Sequence, residues 1–99
     1  MKSETFGDYI RRAREARALP LRKVAARLDI DTSTLSKVER GERQALIDYL
    51  EPLADVLNLE LKEVQTEYIV DKVIKDFDGL EYLLMGLEAA RRKIQRRNL

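Results

Sequence analysis

Residues 24–41 read VAARLDIDTSTLSKVERG, and how this run is divided decides the fold. Apolar side chains recur at helical spacing on both sides of the acidic Asp29-Ile30-Asp31. The run is therefore either one interrupted helix or two helices that share a turn. Asp31 is a good N-cap, Asp29 tolerates a left-handed conformation better than most residues, and Gly41 suits the position just past a helix end. Two helices is the consistent reading. The first starts near Pro20, whose fixed φ suits a helix start, and carries Leu21, Val24, Ala25 and Leu28 inward. The second is capped by Asp31 and stopped by Gly41.

At 100° per residue, Leu35 and Val38 mark the buried direction of the second helix. Ser33 and Arg40 lie opposite, flanked by Ser36 and Lys37, and Glu39 falls on the border near the buried side. The outward face thus holds short donors and acceptors with two cations and no acid. A merely solvated helix face more often mixes Glu and Lys for i,i+4 pairing. The Asp29–Asp31 turn is too short for a long antiparallel hairpin, so the helices meet at a steep angle. That is the helix-turn-helix geometry, in which the second helix enters a DNA major groove.

Outward from this unit, nearly every segment reads as helix, and no run alternates cleanly enough for a strand. A first helix spans about Thr5 to Arg17, with Phe6, Ile10, Ala13 and the Arg17 stem on one face. A fourth is expected from Tyr49 to Leu57, with Asp48 as N-cap, Glu51 as its capping-box carboxylate and Pro52 in the first turn. A fifth runs from Leu61 to Phe77, its Tyr68-to-Phe77 stripe expected in a core or a dimer interface. Asp78 is expected to cap a last helix, with Glu81 three residues on. In that helix Leu80, Leu87 and Ile94 recur every seven residues, with Leu83 and Ala90 between them, forming a seam of about two heptads.

The 44% hydrophobic and 37% charged composition is that of a folded, helix-rich chain. No cysteine and no histidine are present, which removes thiol nucleophiles, disulfides and the commonest general base and metal ligand. Asp71, Asp76 and Asp78 lack metal-loop spacing, so no metal or other cofactor is expected, and the chain is read as no enzyme. No apolar run approaches the ~20 residues that span a bilayer, and the start lacks a signal-peptide core, so a cytoplasmic protein is expected. Charge is segregated: residues 1–44 carry 11 Lys/Arg against 7 Asp/Glu, and residues 45–90 carry 3 against 11. Residues 91–99 add five cations and no acid. A basic first half points to a polyanion partner, whereas the terminal cations first complement a helix dipole.

The run from Ile10-Arg11-Arg12-Ala13-Arg14 through Val24-Ala25-Ala26-Arg27-Leu28 to Leu35-Ser36-Lys37-Val38-Glu39-Arg40-Gly41 resembles the XRE family, the lambda-repressor-like DNA-binding domains. Leu53-Ala54-Asp55-Val56-Leu57, with Leu59 and Leu61, resembles that family's fourth helix and the start of its fifth. The likeness covers about residues 6–66. It implies five short helices, with Thr32, Ser33 and Lys37 touching base edges and Ser36 touching a phosphate or base. It places Arg40 and Arg43 near the DNA backbone, and pairs Arg14 with Glu39 as a structural ion pair. Where the family often has Ser or Thr then Gln, this chain has Pro20 and Leu21, which leaves the phosphate anchor to Arg22 or Lys23.

The expected architecture is all-α: a five-helix lambda-repressor-like DNA-binding domain over residues 1–66 and a C-terminal helical dimerisation extension over 67–99. A single reading helix makes few base contacts, so a homodimer on an inverted repeat of double-stranded DNA is expected, with Leu80, Leu83, Leu84, Leu87 and Ile94 at the interface. The expected role is a transcriptional regulator, a repressor or autoregulator. The alternative is an antitoxin or interaction module whose C-terminal helices bind a partner protein.

Overall fold

The structure, a computed structural model, describes residues 4–98. Thr5 opens α1 (Phe6–Ala16) with a reciprocal capping box: its hydroxyl accepts from Asp8 N at 3.0 Å, and Asp8 accepts from Thr5 N at 3.2 Å. There follow α2 (Leu21–Leu28), α3 (Thr32–Glu39), a 3-10 turn (Ile47–Tyr49), α4 (Leu50–Leu57), α5 (Leu61–Phe77) and α6 (Leu83–Arg97). No strand occurs among the described residues, and none of their helices is long and apolar enough to cross a membrane.

Four of the helix ends share one device. Ala18, Asp29, Gly41 and Asn58 adopt positive φ, and in each case that residue's own N–H and the one after it close back on the helix. After α3, for instance, Gly41 N donates to Val38 O at 3.1 Å and Glu42 N to Lys37 O at 2.9 Å, a Schellman pair. Asp29, at φ 57°, takes the turn conformation expected of it. Ala18, at φ 53°, has no side-chain compensation for that conformation.

Two expected caps do not form. Asp48 lies inside the 3-10 turn, and α4 starts at Leu50 without a side-chain cap. Pro52 is therefore the third residue of α4, where its N–H would have had no intrahelical partner, so the helix loses nothing. Asp78 ends α5 instead of opening α6. Gly79, at φ 95°, carries the chain through turns closed by Leu80 N to Phe77 O and Leu83 N to Leu80 O, and α6 begins only at Leu83. Leu80 therefore sits in the turn, one step ahead of the helix whose seam it was expected to continue.

One core joins α1 to α5. Ile10, Val24, Leu35, Leu53, Leu57 and Val64 are its largest fully buried side chains. Phe6, Tyr9 and Tyr68 complete it, with the Phe6 and Tyr68 rings edge to face at 5.3 Å. Tyr68 Oη donates to Ala45 O, and Tyr9 Oη to Glu63 Oε1, each at 2.9 Å. These bonds fasten the base of α5 to α1 and to the loop after α3. The expected division at residue 66 falls inside α5, which is continuous, and Tyr68 is its last fully buried side chain. Beyond it the chain leaves the body: none of α6 is fully buried. The Cα radius of gyration is 15.1 Å, against about 13 Å for a compact chain of this length.

Two features lock α1 to α3. Gly7 lies so close to the end of α3 that a Cβ there would strike the Val38 and Glu39 carbonyls. Arg14 Nε and Nη2 donate to the Glu39 carboxylate at 2.8 and 3.0 Å, and Nη1 donates to Leu19 O at 2.8 Å. The two side chains are only 13% and 6% exposed.

The glycine economy predicts substitutions of opposite sign. Gly7→Ala should destabilise by about 1–3 kcal/mol through overpacking, whereas Ala18→Gly should stabilise by up to about 1 kcal/mol; urea unfolding measures both. For the ion pair, Glu39→Ala should cost about 3–5 kcal/mol because it strands a buried guanidinium. Arg14→Met with Glu39→Leu should lose far less than the two single changes added together. A double variant as unstable as that sum would refute a stranded charge as the cause.

Candidate nucleic-acid interface

The helix-turn-helix unit is built from α2, the Asp29–Asp31 turn and α3. Asp31 caps α3 by accepting from Thr34 N at 2.8 Å, and the Ser33 hydroxyl donates to the same carboxylate at 3.1 Å. Hydrogen bonds from Thr34, then from Ser33, hold the Asp31 carboxyl below its usual range, so the cap is charged near neutral pH. Leu35, Val38 and Glu39 are the buried side of α3. Thr32, Ser33, Lys37 and Arg40 are exposed on the outside, and Ser36 is half-buried between the two sides. The face read from the helical projection is thus presented to solvent, with Glu39 turned inward to Arg14.

Arg22 and Lys23 are exposed in the first turn of α2, which contains no acid and no side-chain cap. Arg43 is exposed just beyond α3. Among the described residues, Arg22, Lys23, Lys37 and Arg43 make no salt bridge, which leaves four cations open to an outside partner.

Arg40 is arranged differently. Its guanidinium donates to Ser36 Oγ and to Glu42, the latter at 2.6 Å from Nε. That bond holds the Glu42 carboxyl below its usual range. Glu42 escaped the helical projection because it follows Gly41, outside α3, and the Schellman turn folds it back. Its place two residues after Arg40, across a glycine, was the available signal. Arg40 and Ser36 would have to exchange these partners to hold a phosphate, which makes Lys37 and Arg43 the more readily available cations.

The second group of expected residues lies elsewhere, at the far end of α5 and along α6. Leu80, Leu84, Leu87 and Ile94 are exposed, Leu84 to 80%, and Leu83 is half-buried. The chain therefore has a polar, cationic surface on its helix-turn-helix and an apolar one on its C-terminal helices.

Comparison with known proteins bears on the first of these surfaces. The chain shares its fold with the crystal structure of the clp gene regulator ClgR from Corynebacterium glutamicum, with a TM-score of 0.59 and 22% identity over 94% of this chain and 85% of that one. No curated protein sequence gives a significant match. The helix-turn-helix family matches residues 10–64, which takes in the end of α1 with Arg14, all of the helix-turn-helix and α4, and the start of α5. The chain belongs to the helix-turn-helix family, in its XRE, lambda-repressor-like form, and is a DNA-binding regulator of that type.

Proposed function

We propose that the chain is a sequence-specific transcriptional regulator, a repressor or autoregulator, that binds an inverted-repeat operator as a homodimer in the cytoplasm. The observation that carries this reading is the two-sidedness of α3. One side is fixed to α1 by a buried ion pair, and the other offers hydroxyls and a free lysine with no acid of its own. Thr32, Ser33 and Lys37 face base edges in the major groove, and Ser36 faces a base or phosphate. Arg22, Lys23, Arg40 and Arg43 take the backbone on either side. Hydroxyls and Lys37 supply selectivity, while the flanking cations supply affinity that falls with salt. Two copies on a two-fold axis double the base contacts and place the reading helices in grooves about 34 Å apart. The exposed apolar residues of α5 and α6 also suit an antitoxin-like module that binds a different protein and uses DNA only for autoregulation.

Selection of binding sites from random duplex DNA with the purified chain tests this directly. An inverted repeat enriched at moderate salt is expected, and no enrichment at any salt would refute the reading. Lys37→Ala should cost about 1–3 kcal/mol on the selected site and relax preference at one base position. Arg43→Ala should weaken binding to all sequences alike and reduce the salt dependence by about one counterion.

A further inference from the structure

The inner and outer halves of α5 are apolar on opposite sides. At 100° per residue, the buried Val64 and Tyr68 define one direction, and Val70, Val73 and Phe77 lie on the other. A helix with two apolar stripes needs a neighbour on each. The body covers the first stripe, whereas Val70 and Phe77 remain about half exposed. Ten of the thirteen large apolar side chains exposed among the described residues lie between Ile69 and Ile94. An apolar groove lined by Phe77, Leu80, Leu83 and Leu87 opens where α5 hands over to α6.

Charge order along this strip indicates its occupant. It begins acidic at Asp76, Asp78 and Glu81, is apolar from Leu83 to Leu87, and ends basic at Arg91, Arg92, Lys93, Arg96 and Arg97. Arg91 is paired with Glu88 and Asp76 with Lys72. Asp78, Glu81, Arg92, Lys93, Arg96 and Arg97 make no salt bridge among the described residues. The acid precedes α6 and the base closes it, and the fifteen residues of α6 span roughly 22 Å. A strip that reads acid, apolar, base is complementary to its own copy turned end for end, which is the requirement for a closed two-fold interface.

We propose that α6 packs antiparallel against α6 of a second copy, with Leu87 on the two-fold axis. This rests on the homodimer of the preceding section and specifies its surface and direction. In that register the basic end of each α6 lies beside the acidic Asp78–Glu81 turn that precedes α6 of the other copy. The leucines and Ile94 hold the pair together, and the terminal cations select the antiparallel arrangement, since a parallel pair would stack like charge on like.

The chain contains no cysteine, so introduced thiols report without background. In the absence of DNA, Leu87→Cys should form a disulfide-linked dimer under mild oxidation. Ile94→Cys should not self-link, because it would lie roughly 20 Å from its own copy, beyond disulfide reach. Self-linking of Ile94→Cys would overturn the antiparallel register. Leu87→Asp should weaken self-association by more than about tenfold, read by sedimentation, with an unchanged helical spectrum because no residue of α6 is fully buried. A native chain that sediments as a monomer at tens of micromolar, or that associates only with a different protein through this strip, would overturn the inference. Either result would leave DNA reading standing. The expected cross-links with no enriched operator would instead sink the DNA reading alone.

Discussion

The Arg14 guanidinium uses three hydrogen bonds to tie together three parts of the chain: its own helix, the linker carbonyl of Leu19 and the Glu39 carboxylate on α3. All of the helix-turn-helix geometry passes through this knot. Burying two charges carries a desolvation cost that the attraction between them only partly offsets, so the pair contributes little to stability for its own sake. Its effect is positional, since α3 has only eight residues and is too short to hold an orientation by itself. Leu35 and Val38 fix its depth. The bidentate pair and the close approach at Gly7 fix its rotation and its distance from α1. A reading helix needs that restraint, because its donors must arrive at base edges within the tolerance of a hydrogen bond.

The reading unit was legible because its signals are local and agree with each other. Leu35 and Val38 set one direction, Ser33 and Lys37 the other, and Asp29, Asp31 and Gly41 punctuate in keeping with both. The misses are of two physical kinds. Some depend on where the chain is forced to go. Ala18 takes a left-handed conformation that its side chain disfavours, and Gly7 is small because α3 passes over it; neither fact is visible to a helical projection. Others come from reading a good cap where the backbone turns differently. Asp48 and Asp78 have the right chemistry, but a 3-10 turn absorbs the first and Gly79 diverts the chain after the second. Tyr9 was passed over because its polar hydroxyl disguises a buried ring, and only the fold shows Glu63 receiving that hydroxyl.

The distribution of exposed side chains follows from the size of the core. The body closes around α1 to α4 and the base of α5, and Val64 and Tyr68 are the last side chains to reach inside it. The described apolar residues after them lie on outer α5, α6 and the turn between, with little core left to join. A chain of 99 residues buries a smaller share of its surface than a larger one, and association is the ordinary remedy. Here the unspent apolar surface lies on the same segment as acid at one end and base at the other, so one contact between copies would serve both.

The two ends of the molecule are mechanically connected. Tyr9 holds α5 to α1, and Tyr68 holds it to the Ala45 carbonyl in the loop that leaves α3. Past those anchors α5 continues as one unbroken helix for more than two further turns. An unbroken helix resists bending far more than a loop of the same length, so it carries the orientation of its outer end back to its base. Pairing along α6 would act on the separation and mutual angle of the α3 helices through α5 and the short Asp78–Tyr82 turn that joins the two. A flexible tether would raise only the local concentration of the second reading head. In the proposed dimer a stiff one would also fix the spacing of the half-sites, and that spacing would carry sequence information that neither α3 could read alone.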